Sequence, residues 1–98
     1  MIIVTGAIHT LAATHGPMLA ACLEHCRRSR SESGCIAHNV HVDCEDPCRL
    51  VFVEFWDDEA ALRAHFQVPA SRAFAAYARA NASEPPEIVI HRAETVPL

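Results

Sequence analysis

An apolar run from Leu50 to Trp56 is interrupted only by Glu54, a pattern that predicts a buried β-strand. Phe52, Glu54 and Trp56 fall on one face of this strand, because successive side chains of a strand point to opposite sides. A carboxylate therefore stands between two aromatic side chains. A charged group on a mostly buried face needs a partner, which makes Glu54 a candidate for chemistry.

The residues after this strand predict a helix. Either residue of the Asp57–Asp58 pair offers an N-cap, and Leu62, His65 and Phe66 share one side of the helix at three- and four-residue spacing. Pro69 ends the helix, because proline lacks the amide donor and clashes with the preceding turn. The strand and the helix could thus direct a carboxylate, an indole and an imidazole into one space.

The same patterns place the remaining elements. Strands are predicted at residues 2–11, 35–44 and 87–96, a helix at 18–33 and a shorter helix at 71–80. Gly34 is predicted to close the first long helix in the left-handed region. The order β-α-β-β-α-β favours the α+β class, with a four-stranded antiparallel sheet and both long helices on one face.

The strands are apolar on both faces, although helices would cover only one of them. A soluble monomer rarely exposes an apolar patch larger than about several hundred Å². The pattern therefore predicts a homodimer packed through the sheet face.

The composition argues against some classes of protein function. The 98 residues predict one domain spanning 1–98, and the 51% of apolar residues is a globular composition. A net charge of −4 argues against nucleic acid as a partner. No signal-peptide pattern begins the sequence, and no stretch approaches the roughly 20 apolar residues of a membrane span. These features lead us to expect a cytoplasmic protein with reduced thiols.

Two groups of cysteines could bind a metal, but we interpret both as structural. Cys22 and Cys26 share the apolar stripe of the first helix, where free cysteine behaves as a small hydrophobic residue. His41, Cys44 and Cys48 carry the atoms that zinc prefers, but no fourth ligand accompanies them. No metal site is predicted.

His38 and His65 are the candidate catalytic residues beside Glu54. His38 shares a strand face with Ile36 and Val40, and His65 lies on the inner side of its helix. An imidazole titrates near neutral pH and suits proton transfer, but a lone histidine on an apolar face is more often a satisfied core residue. Both interpretations stay open. No constellation is evident for the other candidate side chains, His9, His15, His25, Tyr77 and His91.

Several motifs together resemble the antibiotic biosynthesis monooxygenase family, including its quinol monooxygenase members. The motifs are Gly34-Cys35-Ile36, Asp43-x-x-Asp46-Pro47 and Glu54-x-Trp56-x-Asp58-x-x-Ala61-Leu62-x-x-His65-Phe66-x-x-Pro69. The resemblance covers nearly the whole chain in order and spacing. It implies a dimeric α+β barrel of ferredoxin-like subunits, with a pocket between sheet and helices in each subunit.

The resemblance also implies a reaction. The better-characterised relatives oxidise quinols or polycyclic anthrones with molecular oxygen and use no cofactor, neither metal nor flavin. By position, Trp56 matches a pocket tryptophan, His65 a helix histidine and Glu54 a strand glutamate. Phe52 and Leu62 stand where anthrone oxidisers carry asparagine and tyrosine, which argues against an anthrone. The positions that carry the haem-degrading chemistry of other members also differ here, so no haem is expected.

Three functions are consistent with these observations. The first is a cofactor-independent monooxygenase of a quinol-like or polycyclic aromatic, with His65 or His38 as the base and Glu54 as its partner. The second is an isomerase or lyase of a small oxygenated metabolite. The third is a non-enzymatic binder of small molecules. The residues expected to bind the substrate are Phe52, Trp56, Leu62, Phe66 and Phe74.

Overall fold

The computed structural model covers residues 1–98 and contains four strands and three helices. They follow the chain as β1 (Ile2–His9), α1 (His15–Ser29), β2 (Cys35–Val42), β3 (Arg49–Trp56), α2 (Glu59–Gln67), α3 (Pro69–Asn81) and β4 (Glu87–Arg92). The strands form one antiparallel sheet in the order β2-β3-β1-β4. The predicted α+β, ferredoxin-like fold is confirmed.

The outer strand ends earlier than the sequence pattern suggests. β4 stops at Arg92, which pairs with Ile2, and one further backbone bond joins the Ala93 amide to the Met1 carbonyl. Beyond that point β1 offers no residue to pair with, so alternation in the sequence cannot extend the strand.

The turn after α1 also differs from the prediction. The helix ends at Ser29 with Arg30 as its C-cap, so Gly34 is not the residue that closes it. Gly34 does have a positive φ of 82°, and a Cβ there would lie 2.5 Å from the Cβ of Ala61. Glycine is needed both for its backbone conformation and for the close approach of this turn to α2.

The junction between α2 and α3 follows the sequence prediction. The Asp58 carboxylate accepts a hydrogen bond from the Ala61 amide at 2.8 Å and caps α2. Pro69 ends that helix and occupies the first turn of α3, where its missing amide hydrogen costs nothing.

One prediction about β2 is wrong. The pairing of β2 with β3 shifts register between Cys35 and Ala37, which is a β-bulge. The bulge interrupts the alternation, so Ile36 is 56% exposed while His38 is fully buried. The two side chains therefore do not share the buried face.

The helices cover most of one sheet face but not the edge. Two buried clusters lie beneath them, one built around Leu50 and Met18 and the other around Trp56 and Val4. Ile88 and Ile90 on β4 remain exposed. The chain contains no helix with the length and apolar character that a membrane crossing requires.

Candidate active site

A cavity of about 540 Å³ lies between the sheet and the three helices. Its floor comes from β1 and β3, and its walls come from the helices and from the segment at the start of β4. The side chains that matter for chemistry are His25 of α1, Glu54 of β3, His65 of α2 and three phenylalanines, Phe52, Phe66 and Phe74.

The structure brings five of the predicted site residues to this cavity. Phe52 and Glu54 reach it from the inner face of β3, where alternation placed them. His65 and Phe66 reach it from α2, and Phe74 reaches it from α3. The common cause is that the helices pack across the same sheet face.

The other three predicted residues lie behind the cavity. Trp56 and Leu62 pack with Ile2 and Val4 in the second buried cluster, with 0% and 3% of their surfaces exposed. α2 follows β3 immediately and folds back over its end, which encloses both side chains. Trp56 and Leu62 are therefore not walls of the cavity, contrary to the expectation, and His38 is fully buried as well.

Glu54 is engaged by two neighbours. Its Oε1 accepts a hydrogen bond from the Trp56 indole nitrogen at 3.0 Å. The Nε2 of His38 lies 3.2 Å from the same oxygen, but it is not aligned for a hydrogen bond and has no other partner. The carboxylate thus places negative charge beside a buried imidazole.

His65 has a different carboxylate partner from the one that sequence spacing suggested. Its Nδ1 donates a hydrogen bond of 2.8 Å to Oε1 of Glu32, in the turn between α1 and β2. A carboxylate acceptor fixes the proton of the neutral ring on Nδ1. The Nε2 of His65 then carries a lone pair, as a general base requires.

His25 is the site residue that the sequence analysis missed. It projects from α1 with 6% of its surface exposed, and its ring stacks on Phe74 with centroids 4.2 Å apart. The rings of His38 and His65 lie 5.0 and 5.2 Å away. Burial, reinforced by those two histidines and by Arg28, lowers the pKa of His25 to about 3. His25 is consequently neutral at physiological pH.

The sequence does contain a signal for His25 and its neighbours. His25, Arg28 and Glu32 are spaced three and four residues apart, which places them on one face of the predicted helix. This segment and the strand and helix around Trp56 are distant in the chain and meet only in the fold, so the spacing alone does not show that they form one site.

The three histidines are the one group that could hold a metal ion. One ring nitrogen of each lies within 4.8 Å of the others. Arg28 opposes this use, because its Nη2 lies 2.9 Å from Nδ1 of His25 and a guanidinium can only donate. A metal-binding histidine normally donates from its second nitrogen. The turn with His41, Cys44 and Cys48 forms no such group.

The cysteines of α1 are core residues, as predicted. Cys22 and Cys26 are fully buried in the cluster around Leu50. Burial raises the pKa of each thiol to about 12, so both are protonated and unreactive at neutral pH. The Sγ of Cys26 lies 3.3 Å from Nδ1 of His38, which places a thiol between helix and strand.

Comparisons with known proteins agree with this fold. The antibiotic biosynthesis monooxygenase family matches residues 1–77 of the chain. A crystal structure described as an antibiotic biosynthesis monooxygenase is 25% identical, covers 97% of this chain and 100% of its own, and superposes with a TM-score of 0.88. A protein from Deinococcus radiodurans reaches a TM-score of 0.93 at 20% identity, with 100% and 98% of the chains covered.

A further relative extends beyond this chain. The uncharacterized protein sll1783 of Synechocystis sp. is 38% identical over 68 residues, which are 68% of this chain. Those residues make up only 46% of that protein, so the match spans about half of its length. The family match over residues 1–77 nevertheless places the chain in its class: it belongs to the antibiotic biosynthesis monooxygenase family, and the resemblance in sequence is confirmed.

Proposed function

We propose that this protein is a cofactor-independent monooxygenase that oxidises a quinol-like or polycyclic aromatic substrate with molecular oxygen. The observation that supports it most is the pairing of His65 with Glu32 at the wall of an aromatic cavity. A buried imidazole held by a carboxylate is a base, and a phenolic hydroxyl is the acid it would meet.

The cavity suits an aromatic ring. Its volume of about 540 Å³ lies within the roughly 300–1,000 Å³ typical of small-molecule sites. Phe52 and Phe74 lie at 62° to one another with centroids 6.1 Å apart, and they supply edge and face contacts for a planar ligand.

The reaction needs no external reductant. His65 takes the phenolic proton, and the electron-rich anion then reacts with oxygen in a site that excludes water. A quinol that becomes a hydroxyquinone gives up four electrons. One oxygen atom enters the ring and the other leaves as water. The substrate supplies every electron.

Within this proposal the other two polar residues have supporting roles. Glu54 lines the cavity and lies 3.2 Å from His38, so its negative charge would favour a positive charge that develops in the cavity during proton transfer. His38 lies behind the cavity with Nδ1 against a thiol, so we assign the base to His65.

Oxygen consumption tests the proposal directly. The protein would be incubated with a panel of quinols and hydroxylated naphthalenes beside two variants, His65→Ala and His9→Ala. His9 forms a similar pair with Glu84, at 2.9 Å but at the surface. We expect uptake above autoxidation that falls about 100-fold or more in His65→Ala only. Equal uptake in both variants would remove His65 from the mechanism.

An isomerase is the second candidate, because His25 and His65 offer acid–base chemistry without oxygen. The two functions separate under nitrogen. Monooxygenase turnover stops when oxygen is removed, whereas isomerisation continues at the same rate.

We also propose that two copies pair through the open sheet face. By alternation this face carries apolar side chains such as Ile3, Val53, Phe55 and Val89, and Val89 is 49% exposed. Light scattering of the protein and of Val53→Arg tests this pairing. A wild-type mass equal to one chain would contradict it.

A further inference from the structure

The hydrogen bonds of two cavity histidines fix opposite proton positions. Arg28 lies 2.9 Å from Nδ1 of His25, and since a guanidinium only donates, that nitrogen must accept. The proton of the neutral His25 ring is therefore on Nε2. The carboxylate of Glu32 has the reverse effect on His65, where Nδ1 is protonated and Nε2 has the lone pair.

The two free nitrogens are complementary. One is a donor and the other an acceptor, and a nitrogen of each ring lies within 4.8 Å of a nitrogen of the other. Neither Nε2 makes a hydrogen bond within the protein, and both residues line the cavity. A group that bridges them must accept one hydrogen bond and donate another, as a hydroxyl does.

We propose that His25 is a second catalytic residue, a neutral donor that binds the substrate oxygen from which His65 removes the proton. This inference rests on the proposed function and names the chemical group of the substrate that the site recognises: one acidic hydroxyl on an aromatic or enolic carbon. Arg28 is the positioning residue that sets the tautomer of His25.

The spacing is compatible with a single oxygen atom. A nitrogen of each ring lies within 4.8 Å of a nitrogen of the other, and two hydrogen bonds of about 2.8 Å to one oxygen can span such a separation.

The proton and the charges balance without any other reactant. The O–H bond of the substrate breaks, its proton forms a bond to Nε2 of His65, and the electron pair stays on oxygen. The new imidazolium faces the Glu32 carboxylate, and the phenolate oxygen accepts the Nε2 hydrogen of His25. A donor directed at a developing negative charge in a dry site is worth far more than in water.

Several contacts keep His25 in this role. Its ring is stacked within 9° of parallel on Phe74, and its backbone carbonyl accepts the Ser29 hydroxyl at 2.6 Å. The lowered pKa of the ring prevents protonation, so the donor keeps the same form across the neutral range. The groups that face the ring are His38, His65 and Arg28.

The test uses a ligand that ionises without reacting. 4-Nitrophenol absorbs visible light as the phenolate but not as the phenol, so its spectrum under nitrogen reports the ionised fraction when bound. We expect the wild-type protein to ionise bound 4-nitrophenol at a pH where the free compound is mostly neutral. We expect His25→Phe, which keeps a ring against Phe74, to lower the ratio of bound phenolate to phenol at least ten-fold.

Arg28 provides an independent arm if His25→Phe does not fold. Arg28→Met removes the donor to Nδ1, and we expect a smaller loss, about three-fold. Arg28→Gln retains an amide donor, and we expect it to restore most of the ratio. Equal ratios in wild type and His25→Phe, or in the two Arg28 variants, would overturn the inference.

A metal titration tests the alternative tautomer of His25. If Nδ1 of His25 carried the proton, the three histidines would bind Co²⁺ and produce its coordination spectrum. Such a spectrum in the wild type, lost in His25→Phe, would overturn the assigned tautomer. We expect none. Because neither measurement uses oxygen or turnover, they stand apart from any failure of the oxygen-uptake assay.

Discussion

His25 and His65 are the same residue type in nearly the same surroundings, yet their hydrogen bonds place the ring proton on opposite nitrogens. Both are more than nine-tenths buried, both line one cavity, and their rings lie 5.2 Å apart. The partner of His65 is a carboxylate and the partner of His25 is a guanidinium. The comparison teaches that the hydrogen-bond partner of each ring, not its burial, decides which ring nitrogen carries the proton.

The largest effect should come from removing the Glu32 carboxylate that accepts the hydrogen bond of His65. Glu32→Gln leaves the shape but allows Nδ1 of His65 to accept, which places the proton on Nε2, the nitrogen that we propose as the base. We expect oxygen uptake to fall about 100-fold or more, as for other histidines held in the wrong tautomer. Glu84→Gln, which breaks the surface pair with His9, is the control. Similar losses in both variants would contradict a specific role for Glu32.

The turn that carries Glu32 can be destabilised by a substitution that leaves the cavity histidines unchanged. Gly34→Ala places a Cβ 2.5 Å from Ala61 and keeps a φ of 82° that alanine resists. We expect the free energy of unfolding to fall by about 2 kcal/mol or more. Gly16→Ala, whose added Cβ meets nothing within 4 Å, should cost nothing. Chemical denaturation measures both, and equal stabilities would show that the turn can adapt.

The dependence of stability on pH should reveal the contribution of His25, the partner of the Arg28 guanidinium. The folded protein lowers the pKa of His25 from 6.5 to about 3, so the unfolded chain binds one more proton between these values. Stability from this residue is therefore complete above pH 6.5 and declines toward pH 3, by at most about 1.4 kcal/mol for each pH unit.

Comparing His25→Phe with the wild type isolates that contribution from the carboxylates, which titrate in both. We expect the stability of the variant, measured by urea unfolding at pH 7 and pH 4.5, to decline less with acid. Parallel curves for the wild type and His25→Phe would show that His25 is protonated freely in the fold.

The smallest effect should come from the N-terminal caps of α1 and α2, the helices that carry His25 and His65. α2 has a side-chain cap at Asp58, whereas Thr14 makes no such bond to α1. Asp58→Ala should lower the free energy of unfolding by about 1 kcal/mol. Asp57→Ala, at the adjacent position without the capping bond, should change it much less. Calorimetry of both variants checks the difference, and equal losses would contradict the assigned cap.

The sequence predicted what depends on neighbouring residues. The order of strands and helices, the cap at Asp58, the break at Pro69 and the inward direction of His65 all follow from local periodicity and turn chemistry. The cavity positions of Phe52 and Glu54 follow from alternation along β3.

The sequence could not predict what depends on packing between distant segments. The distances among His25, Glu32 and His65 are set by how α1 and its turn cross the sheet beside α2. The bulge that exposes Ile36 arises from pairing with β3 and leaves no mark in the residues themselves. Trp56 was expected to bind the substrate, but α2 folds over it and encloses it in the core.

The bare edge of the sheet has a consequence for how such proteins diversify. Pro85, Pro86 and Ile88 form the outer wall of the cavity, and no helix lies over this strand. Exposed positions accept substitution at little cost in stability, whereas changes at Phe52 or Phe74 disturb buried packing. Under the proposed function, substitutions at residues 85–88 would therefore change which substrate fits the cavity while the three histidines stay in place.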